Sequence, residues 1–188
     1  MGCAPLMASS VSSPLKPRAR EIVAAARILL EQEGPEGLSM RRLAERLGVR
    51  APSLYKHLAD KGALEAAIIS EALAEQADAF EAALSGAADP LAQIGAAYRA
   101  FALAHPHLYR LINERPLARE QLVPGVEDRA ARALVQAIGG DPDRARAAWA
   151  FAHGMVNLEL NGRFPPGADL AAAWRQGIDA FRLEALTE

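Results

Sequence analysis

Apolar residues recur at helical spacing in the first part of the chain. From Pro17 onward, apolar side chains at positions 22, 23, 26, 29 and 30 share one helical face, and charged side chains lie away from it. Gly34 and Pro35 end this first predicted helix, because glycine and proline punctuate helices at their C-termini.

The same helical periodicity continues to the end of the chain. Downstream of residue 61 it is interrupted by segments rich in Gly and Pro, which leave six further helices; the breaks lie at 86–90, 106, 116–125, 139–142 and 165–167. No run shows the alternation of a strand next to a hairpin turn. The pattern therefore predicts an all-α chain of about nine helices.

Two short helices joined by a tight turn precede residue 61. Ser39 is an N-cap residue before a helix of two turns over 40–47, which Gly48 ends. A second short helix lies within 49–58, with Pro52 in its first turn, where proline is tolerated. This arrangement predicts a helix-turn-helix unit, so residues 17–61 are expected to form a three-helix DNA-binding head.

The residue types at the turn fit this unit. Ala44 is small where the second helix crosses the first, and Gly48 lies where the backbone needs a positive φ. Val49 and Leu54 are expected to fill the angle between the two helices. In such a unit the second helix enters the major groove with its N-terminus first. The side chains on this helix and beside it that can meet bases or phosphates are Ala51, Pro52, Ser53, Tyr55, Lys56 and His57, framed by Arg41, Arg42 and Lys61.

The charge distribution supports a polyanionic partner for this part of the chain. The 188 residues carry a formal net charge of −2. Residues 1–61 hold ten Lys and Arg against six Asp and Glu, and residues 62–188 hold eleven against seventeen, so the two parts carry +4 and −6. Arg42 and Arg46 fit a solvated helix face as well as they fit a phosphate contact.

The N-terminus and the single cysteine indicate where the protein works. Residues 1–16 lack periodic apolar positions and are expected to form a flexible arm, in which Met7 is an alternative start to Met1. Cys3 alone can form neither an intramolecular disulfide nor a cysteine-based zinc site. There is no apolar run of the roughly 18 residues that a membrane span needs. The sequence therefore predicts a cytoplasmic protein without a membrane segment.

The segment from Leu38 to Lys61 resembles the tetracycline-repressor (TetR) family of bacterial transcription regulators. It reads LSMRRLAERLGVRAPSLYKHLADK, and the similarity extends from Ile22 to Leu64. The resemblance implies a homodimer with a palindromic double-stranded DNA operator and a C-terminal domain, residues 62–188, that binds a small-molecule effector. It places base contacts on Ala51, Pro52 and Ser53. It places phosphate and mixed contacts on Ser39, Arg41, Tyr55, Lys56, His57 and Lys61.

A second, shorter resemblance lies near the C-terminus. The segment from Ala148 to Gly154 reads AWAFAHG and is similar to a TetR subfamily marked by a Trp, His, Gly motif. Together with nearby aromatic and polar residues it suggests an effector cavity, for which core packing is the alternative that the sequence favours for each residue. The candidate lining residues are Tyr98, Phe101, Tyr109, Phe151, His153 and Asn157.

No chemistry beyond binding is predicted. His105, His107 and His153 lack the partners of a metal site, because the first two straddle a helix break and no nearby cysteine completes a ligand set. Phosphate-binding Gly-rich loops, nucleophile elbows and zinc-protease motifs are absent from the sequence. The expectation is a protein that is not an enzyme and has no cofactor and no metal.

The leading hypothesis is a homodimeric repressor that an effector releases from its operator. The segments at about 142–161 and 168–185 are rich in alanine and are expected to pair with their two-fold mates as a four-helix bundle. The helix that begins near Gly62 would link the head to the effector cavity. The alternatives are a DNA-binding activator without an effector, or a DNA-binding protein regulated by a partner protein.

Overall fold

The computed structural model describes residues 15–182, so Cys3, Met7 and most of the predicted flexible arm lie outside the described residues. Within this range no strand occurs, and nine α-helices and one 3-10 turn follow one another. The prediction of an all-α chain of about nine helices is confirmed. The helices are α1 Pro17–Gly37, α2 Met40–Arg46, α3 Ala51–Leu54, α4 Lys61–Gly86, α5 Pro90–Ala104, α6 Pro106–Asn113, α7 Val126–Ala137, α8 Pro142–Leu160 and α9 Leu170–Asp179, with the 3-10 turn at Arg119–Gln121.

Polar side chains determine where several helices begin. The carboxylate of Asp60 accepts a hydrogen bond from the backbone N–H of Ala63 at 2.8 Å and so starts α4. Asp89, Asp141 and Asp169 do the same for α5, α8 and α9. Each cap satisfies a backbone N–H that has no partner within the helix. Asp89 and Asp141 lie within the predicted breaks at 86–90 and 139–142, whereas Asp169 lies two residues after the break at 165–167.

Three helices differ in length from the sequence pattern. Gly34 has φ 74° and interrupts α1 where the pattern ends it, and one more turn follows up to Gly37. α3 covers only Ala51–Leu54 of the predicted 49–58, because Pro52 belongs in a first helical turn and Arg50 before it stays extended. α9 ends at Asp179, after which the N–H of Phe181 closes a turn on the carbonyl of Ile178.

The apolar core has two main parts that share α4 and α6. The first part joins the three head helices to the beginning of α4, through Leu64 and Ile68, and to α6, through Leu108. The second part lies between the C-terminal half of α4 and α5 to α9, and it contains Phe80 of α4 and Tyr109 of α6. Because both helices contribute to both parts, the head is packed against the rest of the chain and is not an independent unit.

Candidate nucleic-acid interface

The turn between α2 and α3 has the geometry that the sequence predicts. The hydroxyl of Ser39 accepts a hydrogen bond from the N–H of Arg42 at 3.2 Å and caps α2. Gly48 has φ 65°, and no atom lies within 4 Å of the position that a Cβ would take there. The left-handed backbone, and not crowding, is therefore what requires glycine. Leu43 and Leu54 are fully buried at the angle between the two helices.

The α3 segment presents its predicted contact residues at the surface. Pro52, Tyr55, Lys56 and His57 are exposed, and Ala51 and Ser53 are half-buried. Tyr55 is one of the few large apolar or aromatic side chains of the described residues that is exposed to about half, at 49%. Apart from the buried Leu54, these residues make up α3 and the turn after it, and we call this surface segment the α3 ridge.

The other predicted contacts flank this ridge on α2 and α4. Arg41 is exposed, while Ser39 and Lys61 are half-buried. Two of these cations have carboxylate neighbours on their own helices. Arg41 lies 3.6 Å from Glu45, and Lys61 lies 3.4 Å from Glu65.

Four cations from position 42 to position 56 divide into two that have a side-chain partner and two that do not. Arg42 pairs with Glu33 of α1, and Arg46 donates to the side-chain oxygen of Gln32 at 2.8 Å. By contrast, no carboxylate of the described residues pairs with Arg50 or Lys56, and both are exposed. Arg50 is absent from the contact residues that sequence reasoning selects. The sequence signal that could have selected Arg50 was its positive charge at the start of the predicted second short helix.

Away from the head, the structure brings together three of the six predicted effector-cavity residues. The hydroxyl of Tyr109 lies 2.5 Å from Nδ1 of His153 and 3.5 Å from the hydroxyl of Tyr98. Tyr109 and Tyr98 are buried, and burial raises the pKa of both phenols above the ordinary value, which keeps them neutral. The ring of His153 stacks at 5.7 Å on Tyr109 and lies 6.1 Å from Trp149, which is half exposed.

The other three predicted residues contact other partners. Phe101 packs against the ring of His105 at 5.4 Å. Phe151 contacts Trp174 at 5.7 Å and lies over Gly177, where a Cβ would approach its ring to 1.9 Å. Asn157 accepts a hydrogen bond from Asn161 at 3.2 Å, near the end of α8.

The six predicted residues line neither of two clefts that the described residues form. One cleft, of about 240 Å³, lies at the loop between α8 and α9 beside Glu159 and Phe164. The other, of about 110 Å³, lies between the start of α4 and the segment after α6, beside Glu65 and Arg115. Both are smaller than the roughly 300–1,000 Å³ that is usual for small-molecule sites.

Comparison with known proteins identifies the family. Residues 22–68 match the family of bacterial regulatory proteins named tetR, and residues 91–181 match the tetracyclin repressor-like C-terminal domain. An uncharacterized HTH-type transcriptional regulator of Mycobacterium tuberculosis, Rv0681, is 31% identical over 163 residues, which are 81% of this chain and 75% of that protein. The chain belongs to the TetR family. It is accordingly a helix-turn-helix transcriptional regulator and not an enzyme.

Two solved structures are similar to this TetR-family chain over most of its length. A protein from Rhodococcus sp. RHA1 has a TM-score of 0.75 and 26% identity, and the match covers 91% of this chain and 96% of that one. A TetR variant of Acinetobacter baumannii, solved in complex with minocycline, has a TM-score of 0.58 and 29% identity, with coverage of 85% and 91%. The Trp-His-Gly subfamily stays a prediction, because the matched C-terminal domain is described only as tetracyclin repressor-like.

In this TetR-family fold, the head and the C-terminal helices are also joined by polar contacts. The carboxylate of Glu31 on α1 accepts the N–H of Leu108, in the first turn of α6, at 3.1 Å. Arg115, after α6, lies 2.9 Å from Glu36 of α1 and 3.6 Å from Glu65 of α4. Sequence reasoning missed Glu31 and Arg115, because contacts between residues 50 to 79 positions apart leave no periodic signal.

The described residues show neither metal-binding nor membrane-spanning features. No group of three or more His, Cys, Asp and Glu in residues 15–182 is placed to hold a metal ion. In the same range, every helix is too short or too polar to cross a membrane.

Proposed function

We propose that this TetR-family regulator is a cytoplasmic homodimeric repressor that releases a palindromic operator when a small molecule binds its C-terminal domain. The proposal divides the chain into an N-terminal arm, residues 1–16, a DNA-binding head, residues 17–61, and an effector and dimerisation domain, residues 62–188. The observation that carries it is the exposed α3 ridge, held at a fixed angle on a buried helix-turn-helix core.

In the proposed complex α3 enters the major groove with its N-terminus first. Ala51 and Pro52 are short and apolar, so they suit thymine methyl groups and a close approach, and Ser53 is the polar residue beside them. Tyr55, Lys56 and His57 follow on the exposed ridge and donate to phosphates or bases. Ser39, Arg41 and Lys61 contact the backbone on either side.

Lys56→Ala is expected to weaken binding to all duplexes alike and to flatten the dependence of affinity on salt. Lys56 is exposed and has no acidic partner in residues 15–182, so its whole charge is available to a phosphate. The slope of log affinity against log salt should fall by about one unit for each half-site. Fluorescence anisotropy with a labelled operator, titrated at several salt concentrations, measures this slope.

The matched control is Arg42→Ala, which removes a head cation that is already paired with Glu33. This variant should keep the wild-type slope. If Lys56→Ala also keeps it, Lys56 contacts no phosphate.

The exposed face of α8 supports the proposed dimer. At 100° per residue, Trp149 and Leu158 lie on the two flanks of this face, and the small residues Ala150 and Gly154 lie between them together with Arg146 and Asn157. Both flanking side chains are more than 40% exposed in the single chain. Small residues between apolar flanks let a second helix approach closely, as a helical bundle with the two-fold mate requires. Such a dimer would hold its α3 helices about 34 Å apart, the spacing of successive major grooves.

The route from effector to operator is proposed to run through α6 and α4. Tyr98, Tyr109 and His153 form a hydrogen-bonded group that joins α5, α6 and α8, and of the three only His153 is half-buried rather than buried. On the other side of α6, Glu31 of the head caps its first turn. A ligand that binds better to a shifted α6 would therefore favour another placement of the heads, since it can act only through differential affinity. The minocycline complex of the Acinetobacter baumannii protein supports a small-molecule ligand for this fold.

A second candidate function is favoured because neither described cleft is lined by the predicted effector-cavity residues. These residues are Tyr98, Phe101, Tyr109, Phe151, His153 and Asn157. A regulator without an effector, which acts as an activator or through a partner protein, needs no cavity among them. A thermal-shift screen of small molecules separates the two functions. The second is favoured if no compound raises the unfolding midpoint, and the first if a hit also lowers operator affinity.

Selection of bound sequences from random duplex DNA at physiological salt tests the proposed function directly. A recovered palindrome with half-sites one helical turn apart is the expected result, because a two-fold dimer reads the same sequence twice. Recovery of unpatterned DNA whose binding is only salt-sensitive would overturn sequence-specific repression.

A further inference from the structure

The first turn of α3 has few side-chain atoms that can read a base. Ala51 carries no hydrogen-bonding group, and Pro52 lacks even the backbone N–H. The hydroxyl of Ser53 donates to the backbone carbonyl of Arg50 at 2.7 Å, so its hydrogen points back into the turn. The part of the helix that enters the groove first therefore lacks a strong side-chain donor of its own.

Arg50 directly precedes this first turn and carries a side chain that can supply donors. It is the N-cap residue of α3, with φ −81° and ψ 138°, and its side chain makes no capping hydrogen bond. It is exposed, and among the described residues no carboxylate pairs with it. Its guanidinium is thus unengaged at the leading end of the recognition helix.

We propose that Arg50 reads a guanine in each half-site of the operator. The inference rests on the proposed function and adds the residue that supplies sequence discrimination. The planar guanidinium donates two parallel hydrogen bonds to O6 and N7 of guanine, which is the commonest specific contact in the major groove. Lys56 carries the other unpaired charge of this region, but an ammonium is a point charge without the paired donors of guanidinium.

A parallel selection on wild type, Arg50→Ala and Arg50→Lys tests the inference. The wild-type motif is expected to contain one guanine per half-site that is lost in Arg50→Ala, while the other positions keep their preference. On the best wild-type operator, Arg50→Ala should bind about 10- to 100-fold more weakly per half-site, and Arg50→Lys should recover only part of this loss. On an operator with that guanine replaced, wild type and Arg50→Ala should bind about equally.

The control variant is Arg46→Ala, which removes an arginine held by Gln32 on the neighbouring helix. It should select the wild-type motif. Because the Ser53 hydroxyl bonds to the backbone of Arg50, alanine at position 50 keeps that contact, and circular dichroism and the unfolding midpoint verify that the head still folds.

The selection experiment distinguishes failure of guanine reading by Arg50 from failure of the proposed function. If Arg50→Ala selects the same palindrome as wild type, guanine reading by Arg50 is wrong and the proposed function stands. An equal loss of affinity on all sequences, with a flatter salt dependence, would also overturn base reading, because it is the behaviour of a phosphate contact. If wild type selects no palindrome, the proposed function fails and this inference fails with it.

Discussion

Between about 50 and about 200 mM salt, the operator affinity of the proposed dimer is expected to fall by about a thousandfold. Arg41, Lys56 and Lys61 are the predicted phosphate-binding cations of each head. A dimer that neutralises six phosphates with them has a slope of about −5 in log affinity against log salt, because each phosphate contributes about 0.9. The effect is large because every contact releases a counterion.

The measured slope shows whether Arg41 and Lys61 leave their carboxylate neighbours to contact phosphates. Arg41 and Lys61 each have a carboxylate neighbour in the free protein, and Lys56 has none among the described residues. If both ion pairs persisted on DNA, only Lys56 of each head would neutralise a phosphate. The same change in salt would then lower operator affinity only about tenfold. The Arg41–Glu45 pair is largely exposed, at 83% and 65%, so it stabilises the fold by about 1 kcal/mol at most and opens readily.

Lys61 is the more restrained of the two paired cations. Its partner Glu65 is only 19% exposed and also faces Arg115. Glu65→Gln removes this competitor and is expected to strengthen operator binding at low salt. Anisotropy titrations over the same salt range measure both effects. A tenfold loss in wild type, with no gain in Glu65→Gln, would show that Arg41 and Lys61 do not contact phosphates.

Replacing Tyr109 with alanine is expected to lower the free energy of unfolding by about 3–5 kcal/mol. Tyr109 is the largest side chain that the described structure buries almost completely, at 1% exposure. It lies where α6 meets α5 and α8, with Tyr98 and His153 against its ring. The substitution leaves a cavity in the second part of the core and removes the hydroxyl shared by its two neighbours.

Tyr109→Phe is the matched control, because it keeps the ring and removes only the hydroxyl. It should cost about 1–3 kcal/mol, since the polar groups of Tyr98 and His153 then lose a partner. Urea unfolding followed by circular dichroism gives both values. An alanine variant within about 1 kcal/mol of wild type would mean that the ring is not enclosed.

Local chemistry explains why the helices were predictable from the sequence. Ser39 and Gly48 act within a few residues of their own positions, by capping one helix and by allowing a positive φ. Proline in a first helical turn fixes the start of α3 in the same way. These signals and the helical period of apolar residues give the all-α class, the breaks between helices and the helix-turn-helix.

Contacts between distant residues were not predictable, because they depend on how the helices pack. The sequence alone leaves Arg42 and Arg46 open between a solvated face and a phosphate contact, and packing of α2 against α1 pairs Arg42 with Glu33 and Arg46 with Gln32. Likewise, the sequence suggests that six aromatic and polar residues line one effector cavity. In the structure Phe151 packs against Trp174 and over Gly177, both of which belong to α9.

The junction between the head and α4 also shows which features the sequence determines and which depend on packing. The start of α4 at Lys61 follows from the cap at Asp60 and is visible in the sequence. That α4 and α6 each belong to both parts of the core is visible only once the chain is folded. Caps and turns are determined by neighbours along the chain, whereas the contacts of Arg27 with Glu75 and of Glu31 with the N–H of Leu108 depend on packing that joins residues 48 and 77 positions apart.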